Sequence, residues 1–128
     1  SEQSMGPVAM ASMGMTLKTY DLKPTDPVPT VNFDITQDPA GMGGWDVHIT
    51  TTNFIFTPEN VNKAPIANQG HAHIYVDDAM HVVYGNWYHL NDIPAGQHLI
   101  TVALFTNDHS IFSLNGEYIE AKKTITQY

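Results

Sequence analysis

The chain has 128 residues, enough for one compact domain, and its 42% apolar and 14% charged residues exclude a disordered protein. Five lysines, no arginine and 13 acidic residues give a formal net charge of -8, which disfavours nucleic acids and anionic membranes as partners. The lack of cysteine excludes disulfides, thiolate zinc sites and the blue-copper ligand set. Because no apolar run approaches the roughly 20 residues of a membrane helix, we expect no membrane insertion.

Residues 1–23 are predicted to form a flexible, methionine-rich N-terminal arm. Met5, Met10, Met13 and Met15 lie among small residues with neither a helical nor an alternating apolar pattern. Thioethers are soft ligands that suit Cu(I), so this arm could exchange reduced copper. Simple disorder, a hydrophobic contact or a remnant of cloning explains the arm more economically.

Residues 24–128 are predicted to form a single domain of short strands. Apolar residues alternate with polar ones in two early segments: Val31, Phe33 and Ile35, then Trp45, Val47 and Ile49. The apolar positions change parity at Phe54 and Phe56, which implies a bulge or a strand switch around residues 51–53.

Later segments are typical of hairpins and of a strand that ends near a histidine. The turn Asp77-Asp78-Ala79 is expected to join a strand beginning at His71 to a partner strand that runs to His89. The next strand ends at Asn107-Asp108-His109, and a last hairpin turns at Asn115-Gly116. About seven strands without a helical period predict an all-β, antiparallel, immunoglobulin-like (cupredoxin-like) β-sandwich, with a closed barrel as the alternative.

The most specific chemical signal is a His-x-His pair, His71 and His73. Alternate side chains of a strand share a face, so Ala72, Ile74 and Val76 are expected to face the core and both imidazoles to point away from it. Side chains two apart on one face begin roughly 6–7 Å from each other, near enough for two imidazoles to bind one ion.

Two more histidines are expected at the same end of the sheet. In the usual strand order of such a sandwich, antiparallel neighbours bring His89 and His109 to the start of the His71 strand. Asp108 is adjacent, as a ligand or as the carboxylate that orients an imidazole. The candidate metal ligands are therefore His71, His73 and His109, with His89 as the fourth.

The alternative is that the histidines only fill exposed polar positions, because His-x-His is a short motif. His48 and His81 are interpreted in this way, and His98 as a partly buried, hydrogen-bonded residue. Copper is the first choice of metal and zinc the second, since imidazoles suit both ions and copper has the higher intrinsic affinity.

Five segments resemble a group of small, uncharacterised exported bacterial domains: residues 43–49 (GGWDVHI), 56–60 (FTPEN), 70–77 (GHAHIYVD), 84–90 (YGNWYHL) and 107–109 (NDH). The similarity covers most of the chain after residue 40. More loosely, the chain resembles the cupredoxin-like and copper-resistance β-sandwiches of the periplasm, which bind copper through histidine and methionine. This resemblance implies export and copper binding. The missing cysteine departs from cupredoxins, which puts fast electron transfer in doubt and leaves copper storage or delivery open.

The sequence therefore predicts a periplasmic or secreted copper carrier or buffer with a surface histidine site. Its expected partners are the metal ion and another copper protein. Two alternatives stay open. One is an adhesion or interaction module of the same fold with incidental histidines. The other is a copper- or zinc-dependent enzyme that uses an open coordination position.

Overall fold

The computed structural model describes residues 17–40 and 43–128, and this part of the chain is all-β apart from one turn of 3-10 helix, Pro58–Asn60. Its strands are β1 (Thr19–Asp21), β2 (Thr30–Gln37), β3 (Trp45–Thr52), β4 (Ile55–Phe56), β5 (Gln69–Val76), β6 (Ala79–Val83), β7 (Trp87–Leu90), β8 (Gly96–Phe105), β9 (Ile111–Leu114), β10 (Glu117–Tyr118) and β11 (Glu120–Gln127). None of the described residues belongs to a helix long and apolar enough to cross a membrane.

The strands form two sheets in a sandwich-like arrangement, so the predicted all-β sandwich is confirmed. In the small sheet, β3 lies between β2 and β7. In the large sheet, β8 pairs with β5, β9 and β11, while β4 and β6 pair with β5. The described strands outnumber the expected seven because β1, β4 and β10 are two or three residues long, too short for a visible alternation. Two of these short strands also pair in parallel, β1 with β9 and β4 with β5, against the antiparallel expectation.

The main core lies between the two sheets. Alternate apolar residues of the small sheet pack against those of the large sheet; they include Phe33, Val47, Ile49, Ala72, Ile74, Val102 and Leu104. The residues predicted to face inward in β3 and β5 therefore lie in this core, which follows from the two-residue period of a strand.

The parity change in the sequence marks a strand switch. β3 ends at Thr52, and Asn53 adopts a left-handed backbone conformation with φ 54°. The chain then enters β4, which pairs with β5 of the large sheet, so it passes from one sheet to the other. The switch expected around residues 51–53 is thus confirmed.

The predicted hairpins are confirmed in their turns but not in all their strands. β5 and β6 pair across the turn at Asp77, and the β9–β10 turn places Asn115 and Gly116 at φ 52° and 83°, as a tight hairpin requires. The prediction of one partner strand that runs to His89 is wrong, because β6 ends at Val83 and β7 belongs to the small sheet.

The boundary of the N-terminal arm is also corrected. β1 pairs with β9, so the sheet already includes Thr19–Asp21, whereas the arm was expected to extend to residue 23. The methionines of the predicted arm, Met5, Met10, Met13 and Met15, lie outside the described residues.

Gly70 allows β5 to approach β8 closely just before His71. A Cβ atom placed on Gly70 would lie 1.8 Å from the backbone oxygen of Phe105, a separation that no side chain tolerates. Only glycine therefore fits at this position without moving one of the two central strands.

We expect Gly70→Ala to lower the free energy of unfolding by about 2 kcal/mol or more, because backbone must move to accommodate the methyl group. Gly85→Ala is the matched control, since a Cβ there meets no atom within 4 Å; it should change stability by less than about 1 kcal/mol. Urea denaturation measures both. Equal stability of the two variants would contradict the close approach.

Candidate metal centre

Three of the four predicted ligands converge. His71 and His73 extend from β5, and His109 extends from the turn between β8 and β9. Each offers one ring nitrogen, and the three nitrogens lie within 4.8 Å of one another. Across residues 17–40 and 43–128, this is the one group of three or more histidine or acidic side chains that meets this criterion.

The two β5 histidines lie on the predicted face of the strand but not at the surface. Only 1% of His71 and 4% of His73 is exposed. The expectation of a surface site is wrong because the large sheet is covered on both faces. A second apolar cluster lies on the histidine side and consists of Tyr75, Ala103, Phe105 and Ile111, with Leu17 and Tyr118 packed against it. Of the three histidines, only His109 is partly exposed.

The separation of the two β5 imidazoles suits a shared ion. Nε2 of His71 lies 3.1 Å from Nε2 of His73, so one nitrogen donates a hydrogen bond to the other. If each nitrogen instead bound one ion at about 2.0–2.1 Å, the same separation would correspond to an angle of about 100° at the ion. This angle fits tetrahedral or tetragonal coordination and excludes a linear arrangement of these two ligands.

Aromatic neighbours hold the imidazoles in place. The ring of Phe105 stacks on His73 with 3.7 Å between centroids and 20° between planes. On the other side, the Tyr75 hydroxyl lies 3.5 Å from Nδ1 of His73. Tyr84, which is 43% exposed, lies 5.6 Å from the His71 ring and forms part of the rim.

Both buried histidines are neutral near pH 7. Burial lowers the pKa of His71 to about 4, with the charge of His109 as the second cause. Burial also lowers the pKa of His73 to about 3, followed by the charges of His71 and His109. Metal ions bind the neutral form of imidazole, so neither residue has to lose its charge first. The nitrogen that donates the Nε2···Nε2 hydrogen bond must still transfer its proton, for example to Nδ1 of the same ring, before it can bind an ion.

The turn that presents His109 is fixed by its own hydrogen bonds. His109 has φ 64°, a left-handed conformation, and its backbone N–H donates to the Thr106 carbonyl at 3.0 Å. The side chain of Asn107 anchors the turn, accepting from Thr57 Oγ1 at 2.8 Å and donating to the Ala64 carbonyl at 3.2 Å.

Asp108 stabilises this turn and does not join the group of ligands. One carboxylate oxygen accepts hydrogen bonds from the hydroxyls of Thr106 and Ser110, and the other lies 3.6 Å from the Lys18 ammonium. Burial would raise the pKa of Asp108, but these hydrogen bonds and Lys18 outweigh it and lower the pKa. The carboxylate is thus already occupied.

His89 is not part of the site, contrary to the prediction. It lies on β7 of the small sheet, where Nδ1 is 2.7 Å from the Asp46 carboxylate. The prediction assumed one continuous strand from the Asp77 turn to His89, whereas the chain changes sheets after Val83.

The remaining histidines lie elsewhere, in agreement with their assignment as non-ligands. His98 is partly buried as predicted, with Nδ1 2.6 Å from Asp77 and Nε2 2.8 Å from the Pro94 carbonyl. His48 stacks on Trp87, with 4.2 Å between ring centroids, and His81 lies 3.3 Å from the hydroxyl of Tyr88.

From the sequence, Tyr75 was expected only to pack in the core or to form a hydrophobic wall beside the site, and no role at the site was expected for Phe105 or Gly70. The sequence did contain a signal for Tyr75: it follows His73 by two residues on the same strand, so the two side chains must share a face. Phe105 had none, since its position over His73 depends on the pairing of β5 with β8.

Comparison of the chain with protein families, curated proteins and solved structures gave no match. Function is therefore inferred from the geometry and chemistry of the histidine cluster.

We expect metal-free protein to lose stability as the pH falls from about 6.5 to 5. The unfolded chain takes up protons on His71 and His73 near pH 6.5, whereas the folded chain does so only near pH 4 and 3. The unfolded state thus binds more protons in this window, and the free energy of unfolding should fall by about 1–2 kcal/mol for each histidine. Urea titrations in the presence of a chelator measure this.

The groups with raised pKa values, which include Glu120, contribute with the opposite sign to these two residues. Hydrogen bonds to Asp46 and Asp77 raise the pKa values of His89 and His98, so those residues contribute with the opposite sign and mainly above pH 6.5. A His73→Gln variant should show a shallower slope. A flat profile for the unmodified protein would contradict the burial of neutral imidazoles.

Proposed function

We propose that this protein binds one copper or zinc ion through His71, His73 and His109, and carries or buffers it outside the cytoplasm. The observation that supports this most is the convergence of three imidazole nitrogens within 4.8 Å, from a strand and a separate turn. Two of these imidazoles are held neutral and 3.1 Å apart before any ion arrives. Such a preorganised set of neutral donors favours binding of a divalent transition-metal ion.

Burial argues against histidines that merely fill polar positions. A histidine that only occupies a polar surface position stays exposed to water, whereas His71 and His73 are almost completely buried. Burying such groups is unfavourable unless their nitrogens find partners. An ion shared by both residues supplies a stronger partner than the single hydrogen bond between them.

Copper is the preferred ion and zinc the second. All three donors are imidazoles, which suit both ions, and copper stands above zinc in intrinsic affinity. The angle of about 100° estimated for His71 and His73 fits four-coordinate zinc and tetragonal Cu(II) equally. The preference for copper over zinc therefore depends on ligand chemistry and not on the angle between the two donors.

A carrier or buffer agrees with how the site is placed. His109, the partly exposed ligand, lies on a turn, so an ion can enter and leave on its side while the β5 pair stays buried. The net charge of -8 attracts cations to the protein. We infer export to the periplasm or the exterior from the cysteine-free, acidic, β-rich chain, and another copper protein as donor or acceptor.

Titration of the metal-free protein with Cu(II) should give one tight site. Because the ion binds the native state, stability should rise by about 3 kcal/mol when free ion reaches 100 times the dissociation constant. Calorimetry and thermal melts measure this, and electron paramagnetic resonance should show nitrogen ligands. An interaction module with incidental histidines would give no shift at sub-millimolar ion, and this result would refute the proposal.

Substitutions separate the ligands from the other histidines. His71→Gln and His109→Asn should each weaken binding by at least tenfold, and asparagine tolerates the left-handed backbone at position 109. His89→Gln and His48→Gln are the controls and should bind like the unmodified protein. If His89→Gln were the only variant to lose binding, His89 would be a ligand, as the sequence predicted. That result would refute a site formed by His71, His73 and His109.

Transfer experiments distinguish a carrier from an enzyme. A carrier should release its ion to a chelator or acceptor protein without chemical turnover. Catalytic turnover of superoxide or another oxidant by the loaded protein would favour the enzyme alternative, in which the open coordination position binds substrate.

A further inference from the structure

Two buried oxygen atoms near the histidine cluster lack a hydrogen-bond partner. Within residues 17–40 and 43–128, these are Oγ1 of Thr101 and Oε1 of Glu120, and they are the two such side-chain atoms found. Buried polar atoms are nearly always paired, so each unpaired one requires an explanation. Their shared location beside one residue, Tyr75, provides it.

The strand register places Thr101 and Glu120 on the sheet face that carries Tyr75. Thr101 on β8 is directly opposite Tyr75 on β5, and Ala103 is opposite His73. On the far side of β8, Glu120 of β11 is opposite Ala103. Residues directly opposite in antiparallel strands share a face, so His73, Ala103 and Glu120 form one row across the sheet. Ala103, in the middle of this row, contributes only a methyl group.

Tyr75 connects this row to the metal centre. It is 1% exposed, and its hydroxyl lies 3.5 Å from Nδ1 of His73. Burial and then the charge of Glu120 raise the pKa of Tyr75 to about 12, so the carboxylate is close enough to act on the hydroxyl, which keeps its proton. Burial raises the pKa of Glu120, and the Lys122 ammonium, 3.5 Å from its second oxygen, opposes this rise in part.

We propose that Tyr75 and Glu120 are positioning residues of the metal centre, in a hydrogen-bonded chain from His73 through the Tyr75 hydroxyl to the Glu120 carboxylate. The proposal rests on the metal-binding function proposed above. Nδ1–H of His73 donates to the Tyr75 oxygen. Because Oε1 of Glu120 has no direct partner, the Tyr75 O–H donates to one bridging water, which donates to Oε1.

The chain fixes which nitrogen of His73 faces the ion. With its proton held on Nδ1, His73 presents the lone pair of Nε2 toward His71, which donates its own Nε2–H in the metal-free protein. A carboxylate at the end of such a chain also increases the basicity of a ligand imidazole and compensates part of the charge of the cation. Glu120 thus takes the orienting role that the sequence assigned to Asp108.

The test begins with the tautomer of His73 in the metal-free, full-length protein, read from nitrogen-15 chemical shifts of the imidazole. The unmodified protein should carry the proton on Nδ1, and Tyr75→Phe should give a mixture of tautomers. Tyr118→Phe is the matched control, because Tyr118 packs against the same apolar cluster, and it should keep the Nδ1–H form. An Nε2–H His73 in the unmodified protein would overturn the proposal.

Zinc affinity, measured by competition with a chromophoric chelator, gives the second readout. Tyr75→Phe should weaken binding about 10- to 100-fold, the usual effect of removing a hydrogen-bond partner of a ligand histidine. Glu120→Gln should weaken it in the same direction, whereas the exposed Glu117→Gln should not. Unchanged affinity and tautomer in both Tyr75→Phe and Glu120→Gln would refute the chain.

The outcomes for the two proposals are distinct. If the unmodified protein binds no copper or zinc, the metal-binding function fails, while the tautomer of His73 still tests the hydrogen-bonded chain. If the unmodified protein binds metal and the two variants behave identically to it, only the chain fails. Should Tyr75→Phe fail to fold, Glu120→Gln alone decides, because its side chain keeps its size and loses only its charge.

Discussion

The antiparallel pairing of β5 with β8 places His73 opposite Ala103 and His71 opposite Phe105. This register brings the Phe105 ring over the His73 imidazole and places the small Ala103 between His73 and Glu120 of the next strand. A shift of one residue would turn both histidines into the main core and move Ala72 and Ile74 to the opposite face of the sheet. Gly70, which admits the Phe105 carbonyl, allows the two strands to meet in this way.

Burial determines the chemistry of the two β5 imidazoles, because the large sheet is covered on both faces. It lowers their pKa values far below neutrality and restricts their motion, so they stand ready as neutral donors. The same burial is unfavourable for folding unless the nitrogens are paired. The metal binding proposed for this site would therefore be coupled to stability, and a bound ion should stabilise the fold.

The third donor comes from a different kind of element. His109 lies in a turn held by Asp108, which bonds to hydroxyls within the turn, and by Asn107, which bonds to a separate loop. A rigid strand pair combined with a donor on a partly exposed turn gives a site that is preorganised yet accessible from one side. Such a division suits a protein that accepts and releases an ion, since only one ligand has to move.

The sequence by itself determined the all-β class, the inward residues of β3 and β5, the turns at Asp77 and Asn115, and the shared face of His71 and His73. These follow from the two-residue period of strands and from turn chemistry, which act over a few neighbouring residues. Tertiary structure alone decided that this face is buried, that His89 lies in the other sheet, and that Glu120 lies in the row of His73. The physical reason is that sheet membership and register arise from contacts between distant segments, which no local pattern records.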